Sequence, residues 1–375
     1  MRILIVTQGY FPAKAYGGPP VSIENFCNLI SSEAKLFIVT ANHEYGSEEK
    51  LQGIKEGWQK VGNAQVIYLS EGQKNIKVFE RITKKVKPDW IYLNSLFDAK
   101  NVLPFLKLAS QNNIKILLAP RGELCAGAFK KKHKKLPYIA YIRLRGWFNN
   151  VVFQSTSDEE TETIHKYLGV NKETIFGLAN IPSVPSMEYK HDKKEPGSAR
   201  FLFLSRIHPK KNLLSAIRYF ENITGNVVFD IYGPLEDEVY WKECQEAISK
   251  LSDNVVVNYC GVVSHTKVHQ VFSEYDAFLF PTFSENYGHV IAEALFVGTP
   301  VIVSNQTPWN DVNEANAGWS IDLNNRTGFI EAIQYIINCD NKKWEIISQN
   351  AMKMVAEKTR INELKSRYEK VLSLC

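Results

Sequence analysis

Short apolar runs alternate with amphipathic stretches along the whole chain. Within each run consecutive positions are apolar, as is typical of strands in a sheet that is buried on both faces. The stretches between the runs have the longer period of helices and contain more charged residues. This alternation predicts an α/β protein built from doubly wound parallel sheets.

The apolar runs fall into two series. The first comprises Arg2–Thr7, Lys35–Thr40, Gln65–Leu69, Asp89–Asn94, Lys115–Ala119 and Val151–Ser155. The second comprises Arg200–Ser205, Val227–Tyr232, Asn254–Tyr259, Ala277–Pro281 and Val301–Ser304. Because a chain of 375 residues is long for a single core, the two series predict two Rossmann-like domains.

A segment rich in proline and then in charge separates the two series. It runs from Ile181 through Ser198 and has the composition of a linker. We expect an N-terminal domain over residues 1–182, a linker over 183–199, a C-terminal domain over 200–356 and a C-terminal helical segment over 357–375.

Charge is divided unevenly between the two halves. Residues 1–190 carry a net charge of +9 and residues 191–375 a net charge of −4, which together give the +5 of the chain. This asymmetry indicates that only the N-terminal half faces an anionic partner.

The cysteines and histidines favour a cytoplasmic chain without a metal site. Six cysteines are scattered without a C-x-x-C pair, and the eight histidines are dispersed. This pattern predicts reduced thiols and no zinc site. The apolar start at Met1 is cut short by Gln8, so it reads as a strand and not as a signal peptide. No run is long enough for a transmembrane helix.

The most informative polar segment follows the apolar run Ala277–Pro281. Glu285 stands at the carboxyl end of this predicted strand, where open α/β sheets bind ligands. Glu293 lies about two turns further along the predicted next helix. Two carboxylates near a helix N-terminus can accept hydroxyl hydrogen bonds beside amides that attract phosphate. A nucleotide sugar fits this pattern; a solvated Glu285 and a surface Glu293 fit the spacing equally well.

Two cations follow the apolar run Arg200–Ser205. Arg206 leaves the predicted strand, and Lys211 precedes the next predicted helix, with Asn212 as its expected cap. A planar guanidinium and a compact ammonium together suit a diphosphate. An ordinary basic loop is the alternative interpretation of this pair alone.

Together these motifs resemble the family 4 retaining glycosyltransferases with the GT-B fold. The resemblance is carried by Arg206 with Lys211, by Glu285 and Glu293 with seven residues between them, and by the Gly-Thr-Pro-Val-Ile sequence over 298–302. It covers essentially the whole chain. It implies two Rossmann-like domains with a cleft between them, and transfer of a sugar from a nucleotide sugar with retained configuration.

The resemblance also implies roles for the C-terminal residues. Arg206 and Lys211 match the residues that hold the donor diphosphate, and Glu293 matches the acceptor of the ribose hydroxyl hydrogen bonds. Glu285 matches the carboxylate beside the donor sugar, which we predict to be catalytic. The turn that cradles sugar and phosphate is matched by Asn286, Tyr287 and Gly288.

For the rest of the molecule the resemblance implies fewer contacts. The donor is expected to be UDP- or GDP-linked and is a substrate, so neither a cofactor nor a metal is expected. The last helix, about Asn362 to Leu372, is expected to pack on the N-terminal domain. Gly17 and Gly18 match the glycine loop that meets the donor diphosphate; from the residues alone they could form an ordinary surface turn.

The sequence Pro-Arg-Gly-Glu at 120–123 follows another apolar run. Many family members have a histidine in this region, whereas this variant is common in members that act on bacterial surface polysaccharides. We predict that Arg121 is catalytic, stabilising either the departing phosphate or a phosphate of the acceptor. Glu123 is predicted to bind an acceptor hydroxyl, with an ion pair to Arg121 as the alternative.

A lysine cluster precedes an aromatic-rich stretch in the N-terminal half. It consists of Lys130, Lys131, Lys132, Lys134 and Lys135. Such a cluster beside aromatic residues can dock on an anionic membrane, here the inner face of the plasma membrane, or can simply be a solvated helix face. No stacking platform accompanies it, so nucleic acid is not expected as a partner.

The combined expectation is a retaining glycosyltransferase of cell-surface polysaccharide synthesis. Its acceptor is expected to be a glycan, in particular a lipid-linked intermediate of O-antigen, capsule or exopolysaccharide. Three alternatives stay open: a nucleotide-sugar 2-epimerase of the same fold, a phosphorylase that uses a pyridoxal lysine, and a non-catalytic scaffold that binds sugar or lipid. No side chain is an obvious general base or pyridoxal lysine.

Overall fold

A computed structural model describes residues 1–13, 16, 18–125, 129 and 132–374, with the backbone alone at 132 and 134. The chain divides into two units. The first comprises Met1–Ile181 and Ile361–Cys375, and the second comprises Pro182–Arg360. The chain therefore passes from one unit to the other after Ile181 and returns after Arg360.

The first unit contains an eight-stranded sheet. Its strands are β1 (Arg2–Val6), β2 (Lys35–Ala41), β3 (Trp58–Val61), β4 (Ala64–Leu69), β5 (Trp90–Asn94), β6 (Lys115–Ala119), β7 (Val151–Ser155) and β8 (Ile175–Gly177). Their order is β3-β4-β2-β1-β5-β6-β7-β8. All neighbours are parallel except β3, which runs antiparallel to β4.

Helices connect the parallel strands of this sheet. They are α1 (Gly18–Ile30), α2 (Ile76–Val86), α3 (Ala99–Asn112), α4 (Lys132–Leu144) and α5 (Asp158–Leu168). Side chains of β1 alternate between two buried clusters, with Leu4 and Val6 in one and Ile3 and Ile5 in the other. Both faces of the sheet are thus covered, which explains the uninterrupted apolar runs.

The second unit contains a six-stranded sheet that is parallel throughout. Its strands are β9 (Ser198–Leu204), β10 (Asn226–Tyr232), β11 (Val255–Gly261), β12 (Ala277–Phe280), β13 (Val301–Ser304) and β14 (Gly318–Ile321). Their order is β11-β10-β9-β12-β13-β14. The central strand β9 is flanked by β10 and β12, so the loops after these three strands emerge at one edge.

The remaining helices complete the chain. They are α6 (Leu213–Arg218), α7 (Glu238–Ile248), α8 (Val268–Ser273), α9 (His289–Phe296), α10 (Arg326–Asn338), α11 (Asn341–Thr359) and α12 (Ile361–Leu372). The last of them, α12, belongs to the first unit, where Leu364 and Tyr368 join the buried cluster that contains Ile3 and Ile5. The indole Nε1 of Trp90 donates to the carbonyl of Leu372 at 2.9 Å.

The predicted α/β architecture with two parallel-sheet domains is confirmed. Each predicted apolar run forms a strand, with ends that differ by up to a few residues. The structure adds β3, β8 and β14, which the pattern did not indicate. Strand β3 is polar and only partly buried, and it reaches β4 through a turn in which Gly62 has a φ of +55°. A short edge strand of this kind lacks the apolar run on which the prediction relied.

Candidate functional site

Two loops of the second unit are joined by an ion pair between predicted site residues. Lys211 ends a 3₁₀ turn over Pro209–Lys211 in the loop after β9, and Glu285 lies in the loop after β12. The Nζ of Lys211 donates a hydrogen bond to the Oε1 of Glu285. Their side chains are only 12% and 16% exposed. The cation of Lys211 also lies 5.5 Å from the centre of the Phe280 ring.

Backbone hydrogen bonds hold the same two loops together. The amide of Phe283 donates to the carbonyl of Lys210 at 3.0 Å, and the Nδ2 of Asn212 donates to the carbonyl of Pro281 at 2.8 Å. Asn212 precedes α6, as predicted, but its side chain makes no capping bond to the helix. Its φ of +59° turns the side chain to the neighbouring loop instead.

Arg206 is bound to a different acid. Its Nη1 donates to both carboxylate oxygens of Glu236 at 3.0 Å. Glu236 lies in the loop after β10, the strand on the other side of β9. Arg206 is 39% exposed along its side chain and Glu236 24%. The structure thus places Arg206 at the predicted edge of the sheet, but pairs it with Glu236 and not with Glu285.

The turn between Glu285 and α9 requires its glycine. Gly288 has a φ of +75° at the N-cap of α9. A Cβ at this position would meet the Cδ1 of Ile291 at 3.0 Å and the Nε1 of Trp309 at 3.3 Å. That indole nitrogen donates to the carbonyl of Tyr287 at 2.6 Å. Backbone conformation and crowding both exclude a side chain here, so the turn closely approaches α9 and the loop after β13.

The other two residues of this turn differ in exposure. The side chain of Asn286 is exposed, whereas that of Tyr287 is half-buried against His289, with ring centres 4.7 Å apart. Burial raises the pKa of Tyr287, and the nearby charge of Glu293 raises it further. Tyr287 is therefore a neutral phenol next to the carboxylate of Glu293.

Glu293 is the most deeply buried of the charged residues that were predicted for the site in this unit. It lies in α9 with a relative exposure of 4%. The Nε2 of His265 is 3.4 Å from its Oε1. His265 belongs to a 3₁₀ turn after β11, so the loop of a fourth strand reaches the second predicted carboxylate. Burial lowers the pKa of the neighbouring His269, whereas the charge of Glu293 raises it.

In the first unit, Arg121 has a strained backbone and a fixed guanidinium. Its φ of +56° lies in the left-handed region, and Gly122 follows with a φ of +78°. A non-glycine residue in this region costs of order 1 to 3 kcal/mol. The amide of Gly122 donates to the Oε1 of Glu160 at 2.6 Å. Glu160 is 1% exposed and also accepts from the amide and hydroxyl of Thr156.

The three described hydrogen-bond acceptors of the Arg121 guanidinium are neutral. Its Nη1 donates to the Oδ1 of Asn180, and its Nη2 donates to the hydroxyl of Tyr92 at 2.9 Å and the Oδ1 of Asn94 at 2.6 Å. Among the described residues, no carboxylate lies within ion-pair distance of this guanidinium. The Nε of Arg121 and the Nδ2 of Asn94 are buried donors without a partner in the described part of the chain. Within the described part of the chain, the positive charge of Arg121 at the carboxyl ends of β5 and β6 thus has no carboxylate partner.

Glu123 makes its contacts within a loop and not with Arg121. Its Oε1 accepts from the hydroxyl of Ser95 at 2.7 Å, and its Oε2 accepts from the amides of Leu96 at 2.6 Å and Phe97 at 3.3 Å. Burial raises the pKa of Glu123 above its usual range, and these hydrogen bonds oppose that effect. The carboxylate holds the loop between β5 and α3 in shape.

The glycine loop and the lysine cluster lie partly outside the described residues. Gly17 is outside them, and Gly18 is the exposed first residue of α1. Lys130 and Lys131 are also outside, and Lys132 and Lys134 belong to α4. Lys135 is well placed: its Nζ donates to the carbonyl of Glu123 at 3.2 Å and lies 4.3 Å from the centre of the Phe97 ring. Lys135 therefore supports the fold of this region.

Three acids and bases of these sites escaped the sequence analysis. Glu236 and His265 follow β10 and β11, so the rule that ligands bind at strand ends would have found them had it been applied to every strand. Glu160 gave no such signal, because it lies in the acidic first turn of α5 beside two other acids.

No group of three or more potential metal ligands occurs among the described residues. None of the described helices combines the length and apolar character needed to cross a lipid bilayer.

Comparison with known proteins relates most of the second unit to a family. Residues 187–354 match the model of the glycosyl transferases group 1 family. The chain is 26% identical to the GtfA subunit of a UDP-N-acetylglucosamine–peptide N-acetylglucosaminyltransferase from Streptococcus agalactiae, over 40% of this chain and 29% of that protein. It is 27% identical to the capsular polysaccharide biosynthesis glycosyltransferase CapM from Staphylococcus aureus, over 50% of this chain and 52% of that protein. The chain thus spans about a third to a half of these relatives.

A solved structure matches over the full length. HepE from Anabaena, in complex with UDP and glucose, superposes with a TM-score of 0.67 at 16% identity, covering 100% of both chains. At this identity the match establishes the fold, which is GT-B. The resemblance predicted from the motifs is thereby confirmed. The C-terminal unit of this protein is a glycosyl transferases group 1 domain, within a chain of GT-B fold.

Proposed function

We propose that this protein is a retaining glycosyltransferase of capsule- or lipopolysaccharide-type polysaccharide synthesis. It moves a sugar from a nucleotide-diphosphate sugar to a glycan acceptor carried on a lipid. The observation that carries the proposal is the ion pair of Lys211 and Glu285, which brings two predicted donor-binding residues together at the carboxyl edge of the second sheet. The family match and the UDP complex of HepE support a nucleotide-sugar donor.

The donor is proposed to bind along the loops that follow β9, β12 and β11. The ammonium of Lys211 and the first amides of α9 supply positive charge for the diphosphate. Arg206 reaches the same diphosphate when it exchanges Glu236 for phosphate oxygens. Glu293 accepts hydrogen bonds from the ribose, and Glu285 accepts them from the donor sugar. In this proposal the cations of Lys211 and Arg206 supply the positive charge that a metal ion would otherwise provide.

The proposed reaction breaks the bond between the anomeric carbon and the phosphate oxygen. Negative charge then grows on the β-phosphate, where Lys211 and the α9 amides stabilise it more in the transition state than in the ground state. The acceptor hydroxyl bonds to the anomeric carbon from the same face, and its proton passes to the departing phosphate. Arg121 keeps its predicted catalytic role, since its guanidinium, which is held by three neutral acceptors, can stabilise phosphate charge.

A peripheral membrane contact is proposed for α4. This helix begins in the lysine cluster and exposes three apolar side chains, Leu136, Tyr141 and Leu144, of which Leu144 is 89% exposed. The guanidinium of Arg145 lies 5.3 Å from the centre of the Tyr141 ring. Cations beside exposed apolar and aromatic residues suit an anionic bilayer surface. Such a contact would bring the enzyme to a lipid-linked acceptor.

A donor panel with membrane-extracted lipid-linked glycan tests the proposal. UDP-, GDP- and ADP-sugars are supplied in turn, and products are identified by mass spectrometry, with the anomeric configuration read from the NMR coupling of the new linkage. A glycosylated acceptor with the donor's configuration supports the proposal. An altered free nucleotide sugar identifies an epimerase, an inverted linkage excludes the retaining mechanism, and no turnover of any donor favours a scaffold.

A further inference from the structure

A buried chain of hydrogen bonds leads from Arg121 to the last helix of the protein. The Nη2 of Arg121 donates to the hydroxyl of Tyr92 at 2.9 Å, and that hydroxyl donates to the Oε1 of Gln154 at 2.6 Å. The Nε2 of Gln154 donates to the hydroxyl of Tyr368 at 2.9 Å, which in turn donates to the carbonyl of Ala179 at 3.2 Å. Tyr368 lies in α12.

The hydrogen bonds of this network all run in one direction, from Arg121 towards the carbonyl of Ala179. Gln154 is fully buried and uses its second amide hydrogen on the carbonyl of Leu178 at 2.8 Å. Its amide oxygen can therefore face only Tyr92, which fixes the direction of that hydroxyl. Burial raises the pKa of Tyr92 and of Tyr368, so both hydroxyls keep their protons at neutral pH. Aligned hydrogen bonds of this kind strengthen one another in a low-dielectric interior.

Tyr368 also supports a second acceptor of the same guanidinium. The carbonyl that it contacts belongs to Ala179, and the next residue, Asn180, accepts from the Nη1 of Arg121. The segment is held further by the Nδ2 of Asn25, which donates to the carbonyl of Ile181 at 2.9 Å. The hydroxyl of Tyr368 in α12 is thus linked to two of the three acceptors that orient Arg121, namely Tyr92 and Asn180.

Arg121 needs such support more than an ordinary arginine does. Its backbone is held in the left-handed region, and no carboxylate among the described residues fixes its charge. Among the described residues, its orientation therefore depends on the three neutral acceptors. Loss of one of them would leave the guanidinium with two acceptors and more freedom to turn away.

We propose that Tyr368 is a positioning residue, which α12 contributes to the site of Arg121. It acts through Gln154 and Tyr92 on one side and through the Ala179–Asn180 segment on the other. The inference rests on the proposed function, in which Arg121 stabilises phosphate charge. The site of Arg121 in the first unit therefore includes a residue of α12, which the chain reaches only after it returns to this unit at Arg360.

The test compares Tyr368→Phe with Trp90→Phe in the full-length protein. Tyr368→Phe removes a single hydroxyl and keeps the ring in place. Trp90→Phe removes the hydrogen bond from the indole to the carbonyl of Leu372, which also attaches α12 to the sheet, and it leaves the hydroxyl of Tyr368 untouched. A loosened helix would affect both variants, whereas a positioning role affects only the first.

The first readout does not depend on activity. Arginine-selective labelling with phenylglyoxal, followed by peptide mass spectrometry, measures how accessible the Arg121 guanidinium is. We expect labelling of Arg121 to be about twofold to tenfold faster in Tyr368→Phe, the effect of one lost buried hydrogen bond, and to be unchanged in Trp90→Phe. Equal rates in Tyr368→Phe and the wild type, or equal acceleration in both variants, overturns the proposal.

The second readout applies to transfer from the donor identified by the panel. In Tyr368→Phe we expect kcat to fall by about twofold to tenfold with an unchanged donor KM. In the background of Arg121→Lys, the same substitution should have little further effect, because residues that act through one group are not additive. Full additivity overturns the proposal. If the wild type transfers no sugar at all, the proposed function fails, and the labelling rates still decide whether Tyr368 positions Arg121.

Discussion

Lys211 and Glu285 pair across two loops that are 74 residues apart in sequence. Both side chains are largely buried, and the loops are also joined through the carbonyl of Lys210 and the side chain of Asn212. A buried pair of this kind costs desolvation energy that its mutual attraction only partly offsets. A functional requirement for both charges, as donor binding would impose, explains why this costly pair is present.

Removal of the Lys211 cation should abolish most turnover. We expect Lys211→Met to lower kcat/KM by at least about 100-fold, because a preorganised charge at the departing phosphate is lost. The adjacent Lys210→Met serves as the matched control, since Lys210 is exposed and of the same length. Rates are measured as nucleotide release with the lipid-linked acceptor. Wild-type rates in Lys211→Met would refute the assignment of the diphosphate site.

Glu293 should act mainly on nucleotide affinity. Glu293→Gln keeps the size of the buried side chain and removes its charge, so each ribose hydroxyl loses a charge-assisted acceptor. We expect UDP or GDP to bind about 10- to 100-fold more weakly by isothermal titration calorimetry. Glu331→Gln, an exposed change in α10, should leave affinity unaltered. Undiminished affinity in Glu293→Gln would show that the ribose lies elsewhere.

The strand-end rule predicted the location of most site residues but not their partners. Glu285, Arg206 and Arg121 all follow buried apolar runs, and the carboxyl ends of parallel strands share one edge in each sheet. The sequence could not show that Arg206 pairs with Glu236 after β10, because strand order is set by crossovers that no local pattern records. The same applies to His265 beside Glu293.

The strained and buried features around Arg121 were beyond local patterns as well. The turn at Arg121 and Gly122 is held by Glu160, 38 residues after Gly122, and the guanidinium of Arg121 is held in part by Tyr92 and Asn180. Glycine or asparagine is the usual residue at such a φ, so an arginine gave no signal. An ion pair of Glu123 with Arg121 was the alternative to its predicted contact with an acceptor hydroxyl. The structure shows the carboxylate bound to Ser95 and two amides instead of to Arg121.

The pair of Arg206 and Glu236 should compete with the donor. Since a diphosphate can reach this guanidinium fully only when Glu236 gives it up, Glu236→Gln should tighten UDP or GDP binding by about twofold to fivefold, the value of a partly exposed ion pair. Arg206→Ala should weaken it. Calorimetric titrations at two salt concentrations measure both effects. Equal weakening by the two substitutions would instead mean that the pair binds the donor as a unit.

Lys130, Lys131, Lys132 and Lys134 of the lysine cluster should determine membrane binding, whereas Lys135 should not. We expect substitution by glutamine at Lys130, Lys131, Lys132 and Lys134 to reduce partition into vesicles rich in phosphatidylglycerol about 1,000-fold, at roughly 1 kcal/mol for each cation. Lys135 is kept, because its contacts with Glu123 and Phe97 support the fold. Neutralising the four exposed lysines Lys77, Lys84, Lys85 and Lys87, which lie on α2 or at its end, is the control for net charge.

Co-sedimentation at increasing salt separates the two contributions to this binding. The cationic part should weaken as the salt concentration rises, while the exposed Leu136 and Leu144 retain a weak, salt-independent part. Because Leu144 is the most exposed of these residues, Leu144→Ser in the wild-type background should lower the vesicle partition constant by the same factor at low and at high salt. Equal vesicle binding by the lysine variant and the wild type at low salt would remove the membrane from the proposal, and the acceptor would then have to be sought among free glycans.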